Sequence, residues 1–326
     1  MRVRPFGATS ISEVGLGCWQ LGGADWGDVS ESDALATLHA AVEAGTTFFD
    51  TADVYGLGRS EQLIGTFLKQ TSRPVTVATK VGRFPSPGGA ANLTPAGIQA
   101  HVDACRARLG VDALDLVQLH CIPTAALADG AVFDTLRDLQ RTGSIHRFGA
   151  SVESAAEADL CLKQEGLASL QVIFNIFRQT PAETFFATAQ AKKVGIIVRL
   201  PLASGLLAGK YTPATTFPAN DHRNYNRDGA KFNVGETFAG LPFETGLTLA
   251  QRLQPLVPPG LSMAQMALRW CLDFPAVTTI IPGARNPAQA RANAAVSDLP
   301  PLGDDLHRQL RAFWQTEVRS AVRGPD

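Results

Sequence analysis

A TIM (β/α)8 barrel is the fold this 326-residue sequence predicts, with a small hairpin before it and an extra helix after it. Three observations carry that reading. Eight short β-rich apolar runs recur along the chain, several are apolar at consecutive positions, and longer amphipathic stretches separate them. Strands that are apolar on both faces belong to buried parallel sheets. Strand and helix alternating eight times close into a barrel.

The runs fall at 14–17, 47–50, 75–80, 115–120, 146–151, 170–175, 195–200 and 277–282. Phe48-Phe49 and Ile196-Ile197-Val198 show the consecutive apolar positions. Between them, Ser30 or Ser32 caps a helix that ends at Ala44, before Gly45. Ser60-Glu61 opens a second helix, and Thr94-Pro95 a third, with Pro in the tolerated first turn. Stretches 131–142 and 182–193 end at or just before Gly143 and Gly195, and Pro287 opens the helix after the eighth run.

Three segments stand outside the alternation. Residues 2–12 read as a hairpin plugging the barrel bottom. Residues 203–243 form a long irregular insertion, of a length that is functional or disordered where it occurs. Residues 303–322 read as an added C-terminal helix with Phe313 and Trp314 on one side. No low-complexity linker interrupts the chain, so 1–326 is expected to be one domain.

Composition narrows the function. Hydrophobic residues make up 45% and charged residues 18%, and the formal charge is −1, so no basic surplus favours nucleic acid or an anionic membrane. The five cysteines contain no CxxC pair, which argues against a zinc site or a disulfide framework. The first ten residues, MRVRPFGATS, do not resemble a signal peptide, and no run approaches the ~18 apolar residues that span a bilayer. The expectation is a cytoplasmic protein with no metal, no membrane and no nucleic-acid partner; its oligomeric state is open.

Polar residues recur where the apolar runs end: Asp50 in FFD, Lys80 in VATK, His120 in VQLH, Ser151 in FGAS and Asn175 in QVIFN. Those ends converge on the face where barrel active sites are built. Lysine is rarely buried without a partner. Tyr55 follows Asp50 in FFDTADVYGLGRSE. A phenol titrates near about 10, and a neighbouring ammonium lowers that value by favouring the phenolate. Lys80 can supply the ammonium, Asp50 can hold it, and His120 can hydrogen-bond a substrate oxygen. The set makes a general acid beside a polarised carbonyl.

With these motifs in view, the chain resembles the aldo-keto reductase family over nearly its whole length, from GLGCWQLG to IPGARNPAQARAN. Asp50, Tyr55, Lys80 and His120 match that family's catalytic tetrad in identity and order. The resemblance implies reversible, NADPH-dependent reduction of a small aldehyde or ketone, with Tyr55 as proton donor, Lys80 lowering its pKa, Asp50 anchoring Lys80 and His120 orienting the carbonyl. NADP(H) is preferred and NAD(H) is not excluded.

The same resemblance assigns cofactor contacts. Ser151 and Gln171 match positions that bind the nicotinamide carboxamide, although Val152 stands where the family usually has Asn. Phe174 matches a ring that stacks on the nicotinamide. Leu200, Pro201, Leu202, Ser204 and Lys210, in LPLASGLLAGKY, match the pyrophosphate stretch. Gly283 allows close backbone approach, Arg285 meets a 2′-phosphate, and Gln289 and Asn293 contact adenine, with Ala292 in place of a frequent Glu. Trp19 lines the substrate pocket or packs as a half-buried indole. Trp26, Phe84 and Ile122 suggest an apolar pocket. Cys121 reads as a small apolar filler, Arg59 as a loop charge, and Arg223 and Arg227 as either cofactor clamps or solvated charges.

Competing chemistries lack their motifs. Gly15-Leu16-Gly17 is not followed by the third glycine of a dinucleotide fingerprint, and no P-loop, HExxH or GxSxG occurs. Three alternatives remain on this fold: a slow-turnover nucleotide-binding regulator or sensor, a sugar (aldose) 1-dehydrogenase running oxidatively, and a Schiff-base aldolase or isomerase using Lys80.

Overall fold

The computed structural model describes residues 1–325. Strands β1 (Val3–Phe6) and β2 (Thr9–Ser12) pair antiparallel, with Gly7 at φ +61° in the tight turn between them. Eight parallel strands follow: β3 (Leu16–Gly17), β4 (Phe48–Asp50), β5 (Thr76–Val81), β6 (Leu116–His120), β7 (Phe148–Ser151), β8 (Leu167–Ile173), β9 (Gly195–Arg199) and β10 (Val277–Ile280). Each pairs with the next in chain order. Parallel bridges from Val14 to Ile280 and from Gly17 to Gly283 bring the two outer strands round towards each other, giving the (β/α)8 barrel.

The local signals explain the helices. Ser30 caps Glu31–Glu43 by accepting a hydrogen bond from the Asp33 N–H. Thr94 does the same for Pro95–Leu109 through Gly97, with Pro95 in the first turn. Asn286 caps Pro287–Ala294. Ser262 and Gln265 form a reciprocal capping box on Met263–Leu272, a helix the sequence pattern did not single out. The stretch expected as one helix over 182–193 is two, Thr180–Thr184 and Phe186–Ala191, broken at Phe185.

Strand periodicity sets the character of the barrel interior, because residues i and i+2 share a face. At the bottom, Phe48, Ala78, Leu116, Ile197 and Ile281 form an apolar plug together with Phe6 and Ile11 of the hairpin. Two residues further along the same faces lie Asp50, Lys80, Gln118 and Arg199, all buried. One interior is therefore apolar below and charged above. The opposite strand faces pack on the helices in a single large core.

The insertion at 203–243 is ordered but irregular. It holds the short helix His222–Tyr225 and 3-10 turns at Ala203–Ala208, Val234–Glu236 and Phe238–Gly240. The added C-terminal helix, Asp304–Phe313, continues as a π turn through Trp314–Val318, with Phe313 and Trp314 buried as the sequence implies. Among the described residues, no helix is long and apolar enough to cross a membrane.

Candidate active site

The polar strand ends converge at the C-terminal mouth of the barrel. The Lys80 ammonium donates to Asp50 Oδ1 at 2.6 Å, to the Thr51 carbonyl at 2.9 Å and to the Tyr55 hydroxyl at 3.0 Å. Asp50 Oδ2 accepts from the side-chain amides of Gln118 at 3.2 Å and Gln171 at 2.6 Å. The buried Lys80–Asp50 pair thus has its neighbouring lone pairs and protons satisfied, which such a pair needs in order to persist.

The charges follow from this arrangement. Burial opposes a charged Lys80, but Asp50 and Tyr55 outweigh it and push the ammonium pKa up. Burial pushes the Tyr55 phenol up to about 12, Lys80 pulls it down and Asp50 adds to the rise. The expectation that Lys80 leaves Tyr55 unusually acidic is corrected: the ammonium acts in the anticipated sense, and desolvation exceeds it. Tyr55 is therefore a neutral phenol that carries its proton. Burial, with Lys80, Arg83 and Arg199, holds His120 well below the usual histidine range, so its imidazole is neutral. Its ring meets Tyr55 edge-on, with centroids 5.9 Å apart.

A groove of about 750 Å³ leads from Asp50 and Tyr55 past Trp19, Gln171 and Arg199 to Arg285, Gln289 and Asn293. Leu200, Pro201, Leu202, Ser204, Lys210 and Gly283 also line it. Trp19 has both roles foreseen for it: it lies on the groove wall, half-buried, and stacks on Tyr55 on one side and His222 on the other. Trp26 lies against His222, and Arg223 sits over the Trp26 ring at 4.7 Å.

Several expectations need correction. Phe174 is fully buried away from the groove, 4.8 Å by centroid from both Trp270 and Phe186. The strand there is Leu167–Ile173, so Gln171 faces the interior and Phe174, three residues on, faces the helices. It has no access to a nicotinamide ring. Gly283 stays on the groove wall, and a Cβ there would meet the mobile end of the Gln20 side chain at 2.1 Å. Gln171 spends its NH2 on Asp50, and its carbonyl oxygen makes no hydrogen bond among the described residues. Ser151 pairs in register with Gln171 but lies beside Cys121 Sγ, 3.6 Å away, off the groove wall. Asn293 donates to the Gly283 carbonyl, and Gln289 accepts from the Arg285 N–H.

Ile122 is a core residue, and Phe84 packs near His101 and Arg108. Arg59 is no loop charge, because it donates to the Leu21 and Val29 carbonyls and braces that loop. Arg223 binds Asp221 and Tyr211, and Arg227 lies over Phe243, so neither is simply solvated. Burial pushes the Cys121 thiol up to about 11, in keeping with an unreactive filler.

Two site residues escaped the sequence reading. Arg199 ends β9 inside the groove and pairs with Glu236 at 2.5 Å, and it also donates to the Val152 carbonyl at 3.1 Å. GIIVR carried the same signal as VATK, a charged residue closing an apolar run. Glu236 sits in irregular chain, where no periodicity marks it.

Comparison with known proteins adds to this geometry. The model of the Aldo/keto reductase family matches residues 13–315. An aldo-keto reductase of Bacillus subtilis (strain 168) is 29% identical over 97% of this chain and 93% of its own. The NADH-specific methylglyoxal reductase of Escherichia coli (strain K12) is 28% identical over 92% and 94%. The solved glycerol dehydrogenase of Gluconobacter oxydans superposes with a TM-score of 0.77 at 28% identity, covering 97% of this chain and 96% of that one.

Proposed function

The chain belongs to the aldo/keto reductase family, whose members are NAD(P)H-dependent oxidoreductases of carbonyl groups, and we propose that it reduces small aldehydes and ketones with NADPH, Tyr55 giving the proton. The observation that carries this reading is the 3.0 Å hydrogen bond from Lys80 to a neutral Tyr55 at the end of the groove.

The residues present fit an extended dinucleotide. Arg285 and Lys210 both line the groove, and neither has a carboxylate partner among the described residues. A free guanidinium there suits a 2′-phosphate and supports NADPH over NADH. The free carbonyl oxygen of Gln171 suits a carboxamide NH2. Leu200 and Ser204 at positive φ turn the chain along the middle of the groove. When bound, the cofactor would supply the hydride.

The chain's own residues manage the proton. Tyr55 Oη would donate to the substrate oxygen as negative charge develops on it. The phenolate left behind would be held by the Lys80 ammonium, which Asp50 keeps charged. Neutral His120 would hydrogen-bond the same oxygen. General acid catalysis of this kind contributes typically about 10²–10⁴-fold.

The test is NADPH oxidation with a panel of aldehydes by the wild type and Tyr55→Phe. Turnover by the first and its loss in the second supports the reading. Tight NADPH binding with negligible turnover on every carbonyl would favour the regulator instead. Nucleotide reduction with aldoses but not carbonyl reduction would favour the oxidative sugar dehydrogenase.

A further inference from the structure

We propose that Arg323, near the C-terminus and off the groove wall, is a positioning residue for cofactor binding; the proposal rests on reading the groove as the nucleotide site. Its guanidinium donates from Nε to the Gly240 carbonyl at 3.0 Å, from Nη1 to Asp228 Oδ1 at 2.7 Å and from Nη2 to the Arg227 carbonyl at 2.7 Å. The Arg323 N–H also reaches the Gly240 carbonyl, at 3.2 Å. Gly240 has φ +87°, and a Cβ there would fall 2.4 Å from the Arg323 oxygen, so tail and loop meet backbone to backbone.

From that junction a chain of donors runs to the groove. Arg227 Nε donates to the Arg223 carbonyl at 2.7 Å, Arg223 Nη1 to the Tyr211 hydroxyl at 2.7 Å, and that hydroxyl to the Ser204 carbonyl at 3.0 Å. The Ser204 hydroxyl accepts from the Phe238 N–H and donates to the Glu236 carbonyl, while Glu236 holds Arg199. Arg223, Tyr211, Ser204, Glu236 and Arg199 all line the groove.

This wall needs outside support. Ala203, Ser204, Phe238 and Ala239 all have left-handed backbone, with φ between 48° and 57°. Non-glycine residues hold such angles only where their surroundings over-determine them. The insertion has little regular structure to do so, and Arg323 fixes three of its points at once.

The experiment compares full-length wild type, Arg323→Ala, Arg323→Lys and Arg319→Ala. Arg319 lies on the same tail but faces Glu183, away from the loop. NADPH affinity is measured by fluorescence titration, carbonyl turnover at saturating NADPH, and amide hydrogen exchange across residues 226–240 in the nucleotide-free protein. A loop competent for a tenth of the time weakens apparent affinity about tenfold. The expected result for Arg323→Ala is an NADPH Kd about tenfold higher, faster exchange in 226–240 and kcat within about twofold of wild type. Arg323→Lys, with one donor group, should fall between, and Arg319→Ala should match the wild type. An unchanged NADPH Kd in Arg323→Ala, or an equal loss in Arg319→Ala, overturns the proposal. If the wild type itself bound no NADPH, the reading of the groove would fall and this role with it.

Discussion

Trp19 lies almost parallel to Tyr55, with ring centroids 5.7 Å apart and planes 18° from each other. His222 stacks on Trp19 at 4.9 Å, so Tyr55 is backed by an aromatic column anchored in the insertion. Aromatic pairs contribute about 0.5–1.5 kcal/mol each beyond burial. Trp19→Ala removes both of these pairs and the edge contacts to Trp26 and Phe232, and opens the groove wall. It should lower kcat/KM for aldehydes about tenfold or more, as misplacement of a reacting group costs of order 10²-fold. Steady-state kinetics checks this, and an unchanged kcat/KM refutes it.

The Lys80–Asp50 pair makes a separable prediction. Lys80→Met leaves a buried carboxylate uncompensated, at a cost of about 3–5 kcal/mol. The double change Lys80→Met/Asp50→Asn removes both charges and should recover much of that loss. Neither variant should regain activity, because the phenolate would have no ammonium beside it. Chemical denaturation beside turnover assays separates the two effects.

Asp53 predicts how stability varies with pH. Both of its carboxylate oxygens are buried and unpartnered among the described residues. Burial first, then the neighbouring Glu61 carboxylate, pushes its pKa up to about 7, against the opposing charges of Arg108 and Lys80. Below the ordinary carboxylate range, folded and unfolded chains both hold the proton. Between about 4 and about 7 only the unfolded chain releases it, so raising the pH favours unfolding, by up to about 1.4 kcal/mol per pH unit. Above about 7 both are ionised and the slope ends. Asp53→Asn should flatten this part of the pH–stability curve in urea titrations; a slope equal to that of the wild type would exclude the assignment.

Phe174 tests the corrected stacking contact, and Gly283 the crowding against Gln20. Phe174→Leu should cost about 1–3 kcal/mol of stability through altered packing with Trp270 and Phe186, with NADPH affinity within about twofold of wild type. Gly283→Ala should crowd the Gln20 side-chain amide, which can swing aside, and so cost at most about 1 kcal/mol. Adding Gln20→Ala should relieve it. A large loss of NADPH affinity in Phe174→Leu would restore the stacking role.

What the sequence disclosed was what it encodes locally. Polar residues closing apolar runs located Asp50, Lys80 and His120, because a buried strand can end in a polar or charged group only where something receives it. Ser30, Thr94 and Pro95 marked helix starts because capping is a short-range hydrogen bond. Phe174 was misjudged because the resemblance was carried over without parity: three residues after Gln171, it takes the opposite face. Glu236 and Arg323 act through tertiary contacts between distant irregular segments, which leave no periodic trace.

The barrel's end strands meet through two bridges, at Val14 and Gly17, a contact as short as the two-residue ladder between β3 and β4 beside it. Gly17, Trp19 and Gln20 lie on one lip of this seam, and Pro282, Gly283 and Arg285 on the other, all facing the groove. A molecule lodged there acts as a rivet, joining the beginning of the polypeptide to its far end. Binding and mechanical closure of the cylinder are then one equilibrium, and saturating the groove strengthens that seam.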